Sequence, residues 1–559
     1  MEGRMQDWPL IVSRVLEYAA RWHPTQEIVC RTVEGPVIIS SYADLARRAR
    51  LCALALQCLG IRHGDVVGTL AWNTTRHLES WYGIMGIGAV CHTLNPRLSD
   101  SDIAYIADHG QDRIILADTT FLPILGRIWQ QLPLLEAVVV LTDRQHMPAP
   151  SPDLPPKLLC YEQLLDAATP QLSSFAWPEL DENTPCGLCY TSGTTGNPKG
   201  VRYSHRSNFL HSFIVTQPDA LCIGAENSML MVVPMFHANS WGVNFAAPMV
   251  GCRLVLPGPA LDGASMYHMI EAYKVDVTAM VPTVVVGLLQ HLAAHNTSLR
   301  SLRRLVIGGA AAPRSMIETL ERSGIEVRHM WGMTELSPVG SIGLPTGPQL
   351  AEGMSDDDLL DRKACQGRPH VLCDMRLVDD SGEVLPHDGS AVGDLQVRGP
   401  IVVQQYHRHE QRTVDAERWF STGDVASIDQ HGTMKISDRS KDVVKSGGEW
   451  ISSIALENTA AGHPKVLEAA VIAIPDERWG ERPLLIVVPQ PHSGDSEALR
   501  LEVLQYMASH PQVAKFARPD DVVVQPEIPH TATGKVSKLT LRKMFEGYKP
   551  RPAGGLSKL

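Results

Sequence analysis

The stretch YTSGTTGNPKG occupies residues 190–200. With the two residues before it, LCYTSGTTG reads as a strand that runs into a glycine-rich turn. Glycines let backbone N–H groups come close to an anion. Serine and threonine add hydroxyl donors, and Lys199 adds a charge. The turn lacks the Gly-Lys-Ser/Thr ending of the common nucleotide-triphosphatase loop, because Lys199 lies between Pro198 and Gly200. Such a turn suits a polyphosphate. Taken alone, it also fits a plain Ser/Thr/Gly loop.

Strands and helices alternate around this turn. SYADLARRARLCALALQCL (41–59) has helical periodicity with arginines on one face, and Gly60 stops it. VVGTLAW (66–72), AVCHTL (89–94) and RIILAD (113–118) read as strands, with a helix near 76–87 and another after Ser99. The pattern returns as helix 265–273, strand VTAMV (277–281), helix 283–295, strand RLVIGG (304–309) and helix 313–323. Alternation of this kind predicts parallel sheets with helices on their faces. After about residue 370, DMRLVDDSGEVLP and GDLQVRGP alternate apolar and polar residues around turns. That pattern predicts an antiparallel, hairpin-rich region. From about 439, strands and a helix at 496–509 alternate on a smaller scale. The expected fold is α/β. It has a large N-terminal domain (1–438) of two layered α/β subdomains plus a β-rich one, and a small mobile α+β C-terminal domain (439–559).

The totals agree with such a protein. A chain of 559 residues makes about two to four folding units. A net charge of -11 argues against a general nucleic-acid binder, which needs a basic face. Eleven scattered cysteines fit a reducing compartment. Cys186 and Cys189 are spaced C-x-x-C but lie in an apolar run, and read as buried strand thiols. His291 and His295 have metalloprotease spacing without the glutamate, and read as helix-surface histidines. No signal peptide and no apolar run of spanning length is seen. Ser557-Lys558-Leu559 forms a peroxisomal address after a Pro/Gly stretch, readable by an import receptor; without it the cytoplasm is expected.

Further candidates follow the turn. In MWGMTE (330–335), Trp331 could stack on a base, Thr334 could bond a phosphate and Glu335 could hold Mg²⁺. A capped helix N-terminus is the plain alternative. In STGDV (421–425), Asp424 follows a glycine and could take two ribose hydroxyls; an ordinary Asx turn explains it equally simply. SDRSKDVVKSGGEWIS (437–452) is basic and glycine-rich, and PHTATGKVSK (529–538) presents Lys535 after a glycine.

Together, YTSGTTGNPKG, GMTE, STGD, DRSKDVVKSGGE and TGK resemble the adenylate-forming superfamily of acyl-CoA synthetases, luciferases and peptide-synthetase adenylation domains. The resemblance covers nearly the whole chain. MFHANSWG (235–242) and VIGGAAAP (306–313) look like family motifs too. GNPKGVRYSHRSN, KSGGEWIS and LNPRLSDSDIAYI are most similar to medium-chain fatty acid:CoA ligases of the alkane-utilisation type.

The resemblance implies roles. Thr191, Ser192, Gly193, Thr194, Thr195, Gly196 and Lys199 would wrap the ATP β,γ-phosphates. Gly309, Ala310 and Ala311 with Trp331 and the adjacent Gly332 would hold adenine; the family more often has Tyr at position 331. Thr334 and Glu335 would serve the α-phosphate and Mg²⁺. Asp424 and Arg439 would bind ribose, and Asp438 would be the hinge. Lys535 would be the catalytic lysine of adenylation. His237 is similar to the gate between acyl and nucleotide sites. Lys445, Gly447, Gly448 and Glu449 would form the loop for thioester formation. His237, Trp241, Val281, Val284 and Gly308 would line the acyl tunnel. One position departs from the pattern: in WISSIALEN, Ala455 stands where the family usually has an acid, while Glu457 keeps the second. Ser-Lys-Leu is foreign to the bacterial enzymes and points to a eukaryotic relative such as a fungal one.

The implied reaction is ATP-dependent conversion of an apolar, medium-length acid to its acyl-adenylate, then to acyl-CoA, by a ligase that is often a homodimer. Two other readings remain. One is a ligase for an unsaturated, polyketide-derived or aryl acid of secondary metabolism. The other is a silent binding homologue, against which Glu335, Asp424, Arg439 and Lys535 argue.

Overall fold

A computed structural model describes residues 5–551 apart from 192–196, 346, 348–352, 448, 492, 494 and 532–534. Contacts group the chain into two compact units. The first comprises Met1–Ile307, Gly332–Gly340 and Gly399–Asp415; the second comprises Gly308–Trp331, Ser341–Arg398 and Ala416–Leu559.

The first unit holds a seven-stranded sheet. Its order is Leu158–Cys160, Ala137–Val140, Asp112–Ala117, Val66–Leu70, Val90–Thr93, Pro185–Tyr190 and Gly200–Ser204. Every neighbouring pair is parallel except the last, which is antiparallel. The central strands are buried on both faces, and so read as continuous apolar runs rather than alternating ones. The same unit contains the strand run Arg304–Ile307, Val277–Met280, Ser228–Leu230, Arg253–Leu256, Glu27–Arg31 and Val37–Ser41. This run is parallel up to its last pair, which is antiparallel.

Helix Tyr42–Cys58 shows how local chemistry sets these elements. Ser41 and Asp44 form a reciprocal capping box at its start. At its end Gly60, at φ +88°, donates to the Gln57 carbonyl and Ile61 donates to that of Leu56. That is the six-to-one and five-to-two pattern of a Schellman stop, which needs a left-handed residue at Gly60.

The second unit carries a four-stranded antiparallel sheet in the order Asp374–Val378, Gly393–Arg398, Phe420–Ile428, Met434–Arg439. It also carries the C-terminal sheet Glu449–Ile451, Val444–Ser446, Gly480–Pro489, Val466–Asp476, with Asp521–Val524 parallel to Gly480–Pro489. Helices Ser453–Ala461 and Ser496–Ser509 share a buried core with this sheet, built on Leu456, Val471, Leu485, Leu499, Val503 and Val522. Local bonds surround Asp438: Ser453 N–H donates to Asp438 Oδ2 at 2.6 Å, and Arg542 pairs with Asp442 at 2.5 Å. These bonds tie strand Met434–Arg439 and the turn after it to the C-terminal sheet and its helices.

The architecture is thus mixed α/β, with two largely parallel layers, a β-rich part and a small C-terminal α/β body. Among the described residues no helix is long and apolar enough to cross a membrane.

Candidate active site

In the first unit, Tyr190 faces Gly200 across the antiparallel pair, and Thr191 N–H donates to the Lys199 carbonyl at 2.9 Å. The glycine-rich turn is therefore closed at its base as a hairpin. Ser192, Gly193, Thr194, Thr195 and Gly196 lie outside the described residues. Gly200 has a packing reason: a Cβ there would sit 3.0 Å from both Tyr190 Cζ and His407 Cβ. Tyr190 and His109 share a hydrogen bond at 2.6 Å between the phenol oxygen and ring Nδ1, and the His109 ring meets the His407 ring edge-on at 5.4 Å.

Thr334 and Glu335 lie on a short 3₁₀ turn, Thr334–Leu336, and both are buried. Tyr203 donates to the Thr334 carbonyl at 2.7 Å, and Val403 N–H donates to the Glu335 carbonyl at 2.7 Å. The phenol of Tyr406 donates to Glu335 Oε1 at 2.9 Å, while the Lys199 ammonium lies 5.0 Å from the centre of the Tyr406 ring. Burial, then the charge of Glu335, pushes the Tyr406 phenol well up, so it stays a donor. At Gly332 a Cβ would fall 2.1 Å from the Pro338 carbonyl oxygen, so the turn requires glycine there.

The donor set bears on the expected metal. Among the described residues no group of three or more His, Cys, Asp or Glu could cage an ion. One buried carboxylate, Glu335, next in sequence to Thr334, fits Mg²⁺, which takes one or two protein carboxylates and fills its shell with phosphate and water.

His237 is half-buried and precedes a left-handed run in which Ala238, Asn239, Ser240, Trp241 and Gly242 have φ between +43° and +80°. Such a run costs non-glycine residues roughly 1–2 kcal/mol each. It is held by Ser240 donating to the Val233 carbonyl at 2.8 Å and by Asn239 donating to Asn208 Oδ1 at 3.1 Å. Trp241 is buried within it, and Val281 and Val284 are half-buried at the start of helix Pro282–Ala294. Gly308 is buried in the second unit.

That unit holds a second cluster. The Trp331 indole N–H donates to Asp424 Oδ2 at 2.9 Å, and Arg439 Nε meets Asp424 Oδ1 at 2.8 Å. Asp424 is 2% exposed and lies directly across the antiparallel pair from Arg439. The Asx-turn alternative for STGD does not hold. Asp424 lies inside strand Phe420–Ile428, with Gly423 at φ +72° as a local irregularity. Trp331 lies within strand Glu326–Gly332, and Thr334 and Glu335 lie on the 3₁₀ turn itself, whose cap position is Met333, so neither caps a helix. Gly309 sits at φ +81°, where strand RLVIGG ends early at Ile307, with half-buried Ala311 and exposed Ala310 following.

Asp438 is buried; burial raises its carboxyl above the ordinary range, against the nearby Lys538 and the Ser453 bonds. Lys538 pairs with Glu457 at 2.7 Å, and Glu457 Oε1 accepts from Val471 N–H at 2.8 Å. Glu457 is thus an ion-pair partner, which the sequence alone does not reveal. Lys535 is half-buried in a turn closed by Thr531 N–H on its carbonyl at 2.6 Å. Lys445 and Glu449 are exposed on the hairpin of Val444–Ser446 and Glu449–Ile451. Gly447 there has φ +61°, and a Cβ would come 2.7 Å from the Trp479 ring. Gly448 lies outside the described residues.

Cys186 and Cys189 are buried strand thiols, and the His291 ring lies 4.2 Å from that of His295, the C-cap of helix Pro282–Ala294. A cavity of about 360 Å³ in the first unit and one of about 420 Å³ in the second lie elsewhere; neither is lined by the expected acyl residues. Sequence reasoning missed Tyr406, His407, His109 and Tyr203. Their partners are up to 299 residues distant, and no local pattern marks them.

The matches to known proteins make this chain an enzyme of the adenylate-forming class. The AMP-binding enzyme pattern matches residues 16–407, and the AMP-binding enzyme C-terminal domain matches 455–535. The chain belongs to the AMP-binding enzyme family. It is 44% identical over 546 residues to a medium-chain-fatty-acid–CoA ligase of Ectopseudomonas oleovorans, covering 98% of both chains. It is 44% identical over 547 residues to a 3-methylmercaptopropionyl-CoA ligase of Ruegeria lacuscaerulensis, covering 98% of this chain and 99% of that one. Among solved structures, it resembles the anthranilate CoA ligase AuaEII bound to anthranoyl-AMP. The TM-score is 0.82 at 25% identity, over 97% of this chain and 99% of that one.

Proposed function

We propose that this protein is an AMP-forming acid–CoA ligase whose substrate is a medium-chain fatty acid or a similarly apolar carboxylic acid. The observation that carries this reading is 44% identity across 98% of both chains to a medium-chain ligase. A carboxylate is a poor electrophile because its leaving group would be oxide. Attack of the acid oxygen on the α-phosphorus of ATP forms a mixed anhydride and releases pyrophosphate. The CoA thiolate then attacks the activated carbonyl and expels AMP.

In this reading Lys199 and the hairpin hold the outer phosphates. Thr334 and Glu335 would serve the α-phosphate and hold Mg²⁺, which would supply charge neutralisation there. Asp424 with Arg439 takes the ribose, and Trp331 with Gly309–Ala311 the adenine. Lys535 stabilises charge in adenylation, and the Lys445–Glu449 hairpin serves the thioester step.

Identity does not decide the acid, since a medium-chain ligase and a 3-methylmercaptopropionyl-CoA ligase match equally well. The anthranilate ligase favours a second reading, an aryl or other specialised acid. Mass spectrometry of purified protein with ATP, Mg²⁺, CoA and a panel of straight-chain, unsaturated and aryl acids tests both. Medium straight-chain acyl-CoA products support the first; dominant aryl or unsaturated products support the second. Adenylate without thioester would overturn the ligase reading. Residues 557–559 lie outside the described residues. Their Ser-Lys-Leu tripeptide supports peroxisomal import through its receptor, and a fluorescent fusion that stays cytoplasmic with the tripeptide intact would overturn that. Sedimentation reads the implied homodimer.

A further inference from the structure

We propose that segment 401–407 is a positioning strap, and that Tyr406 sets the carboxylate of Glu335 and the ammonium of Lys199 in one geometry. The inference rests on the ligase reading. It stands on five contacts from one short segment within the first unit. Ser337 donates through its hydroxyl to the Ile401 carbonyl at 2.9 Å. Val403 N–H donates to the Glu335 carbonyl at 2.7 Å, and His407 N–H donates to the Gly200 carbonyl at 2.7 Å. Between these anchors the Tyr406 phenol reaches Glu335 Oε1 at 2.9 Å, and its ring lies under Lys199 at 5.0 Å.

The strap therefore ties two pieces of backbone far apart in sequence: the second strand of the hairpin and the 3₁₀ turn of Glu335. Its backbone bonds fix where these pieces sit. Tyr406 does something the backbone cannot, because it orients a charged oxygen and offers a π-face to a cation. A hydrogen bond to a charged, buried acceptor is among the stronger ones. Carboxylate direction decides which oxygen is presented to a metal–phosphate pair, so a small rotation would misplace it.

The test is Tyr406→Phe in the full-length protein, which keeps the ring and removes only the hydroxyl. Two half-reactions are read separately: ATP–pyrophosphate exchange with a medium-chain acid, and thioester formation from supplied acyl-adenylate and CoA. ATP binding with and without Mg²⁺ is followed by calorimetry. We expect exchange to fall on the order of 10-fold to 100-fold, the Mg²⁺ enhancement of ATP affinity to shrink, and the thioester step to hold. A Glu335→Gln change should make the Tyr406→Phe loss largely disappear, because the two side chains act as one unit. Wild-type exchange in Tyr406→Phe would overturn the proposal. So would equal loss of both half-reactions in a folded variant, which marks a merely structural tyrosine. A wild-type protein with no exchange with any acid of the straight-chain, unsaturated and aryl panel would overturn the ligase reading itself, and the strap with it.

Discussion

Lys535 and Lys538 lie three positions apart on one segment, yet their surroundings separate their roles. Lys538 is largely buried, 2.7 Å from Glu457. Burial pushes its ammonium down, but Glu457 and Asp438 more than offset this and hold it above the ordinary lysine range. Lys535 is half-buried, and its carbonyl accepts from Thr531 N–H at 2.6 Å. Removing one member of a buried pair leaves the other charged and unpaired, at a cost of about 3–5 kcal/mol. Lys538→Met should therefore lower the melting temperature by several degrees. Lys535→Ala should leave melting nearly unchanged while cutting adenylation on the order of 10²–10³. Calorimetry beside pyrophosphate exchange separates the two. A Lys535→Ala protein that unfolds early but exchanges normally would reverse the assignment. Lys535 stands out in sequence because TGK is a motif. Lys538 does not, because its meaning depends on Glu457, 81 residues earlier, being folded against it.

At the scale of elements, glycines record where the chain turns or touches itself. Gly332 lies in the strand-to-turn passage before Glu335, and a Cβ there would meet a backbone carbonyl at 2.1 Å. Backbone cannot rotate aside as a side chain can, so Gly332→Ala must shift the 334–336 turn. We expect adenylation to be lost and stability to fall by roughly 1–3 kcal/mol, the cost of overpacking; urea melts and pyrophosphate exchange check this. Gly324, by contrast, has nothing within 4 Å of its would-be Cβ; only its φ of +80° resists alanine.

The same contrast explains what sequence could show. Helix 496–509 is legible to the residue because Asp495 caps it through Glu497 and Ala498 N–H, a local event. The parallel strands are legible as apolar runs for the same reason. STGD looked like a turn because Gly423 has a turn residue's freedom. Only the partner strand Met434–Arg439 shows that it is held in a ladder, with Arg439 opposite Asp424. The strap residues Tyr406 and His407 carry no period, no cap and no motif. They acquire meaning only when Lys199, Gly200 and Glu335 are folded beside them.

For the molecule as a whole, three buried histidines of the first unit set a response to acid. Burial pushes His77, His205 and His407 down to about 4. The geometry at two of them agrees. His77 Nδ1 lies 2.9 Å from the Trp72 carbonyl, while its Nε2 accepts from the Trp81 indole at 3.0 Å. That pattern needs the neutral ring, because a proton on Nε2 would face the indole donor. His205 Nδ1 accepts from Val12 N–H at 3.3 Å, and a second proton would break that bond too. The unfolded chain binds these protons near pH 6.5 and the folded chain refuses them until about 4. Stability is therefore fully present above about 6.5 and is lost as pH falls through that window. Asp118 acts in the opposite sense: burial pushes its carboxyl up to about 7, so the folded state holds a proton that the unfolded state has released. Burial raises the carboxyls of Asp112, Asp438 and Glu457 in the same sense as that of Asp118, so the quantity to read is the share of His77 in the slope. His77→Gln should make the melting temperature fall less steeply between pH 6.5 and 4 than in the wild type. Its amide can still donate to the Trp72 carbonyl and accept from Trp81, but it takes up no proton. A melting profile in His77→Gln as steep as that of the wild type would remove His77 from the acid response.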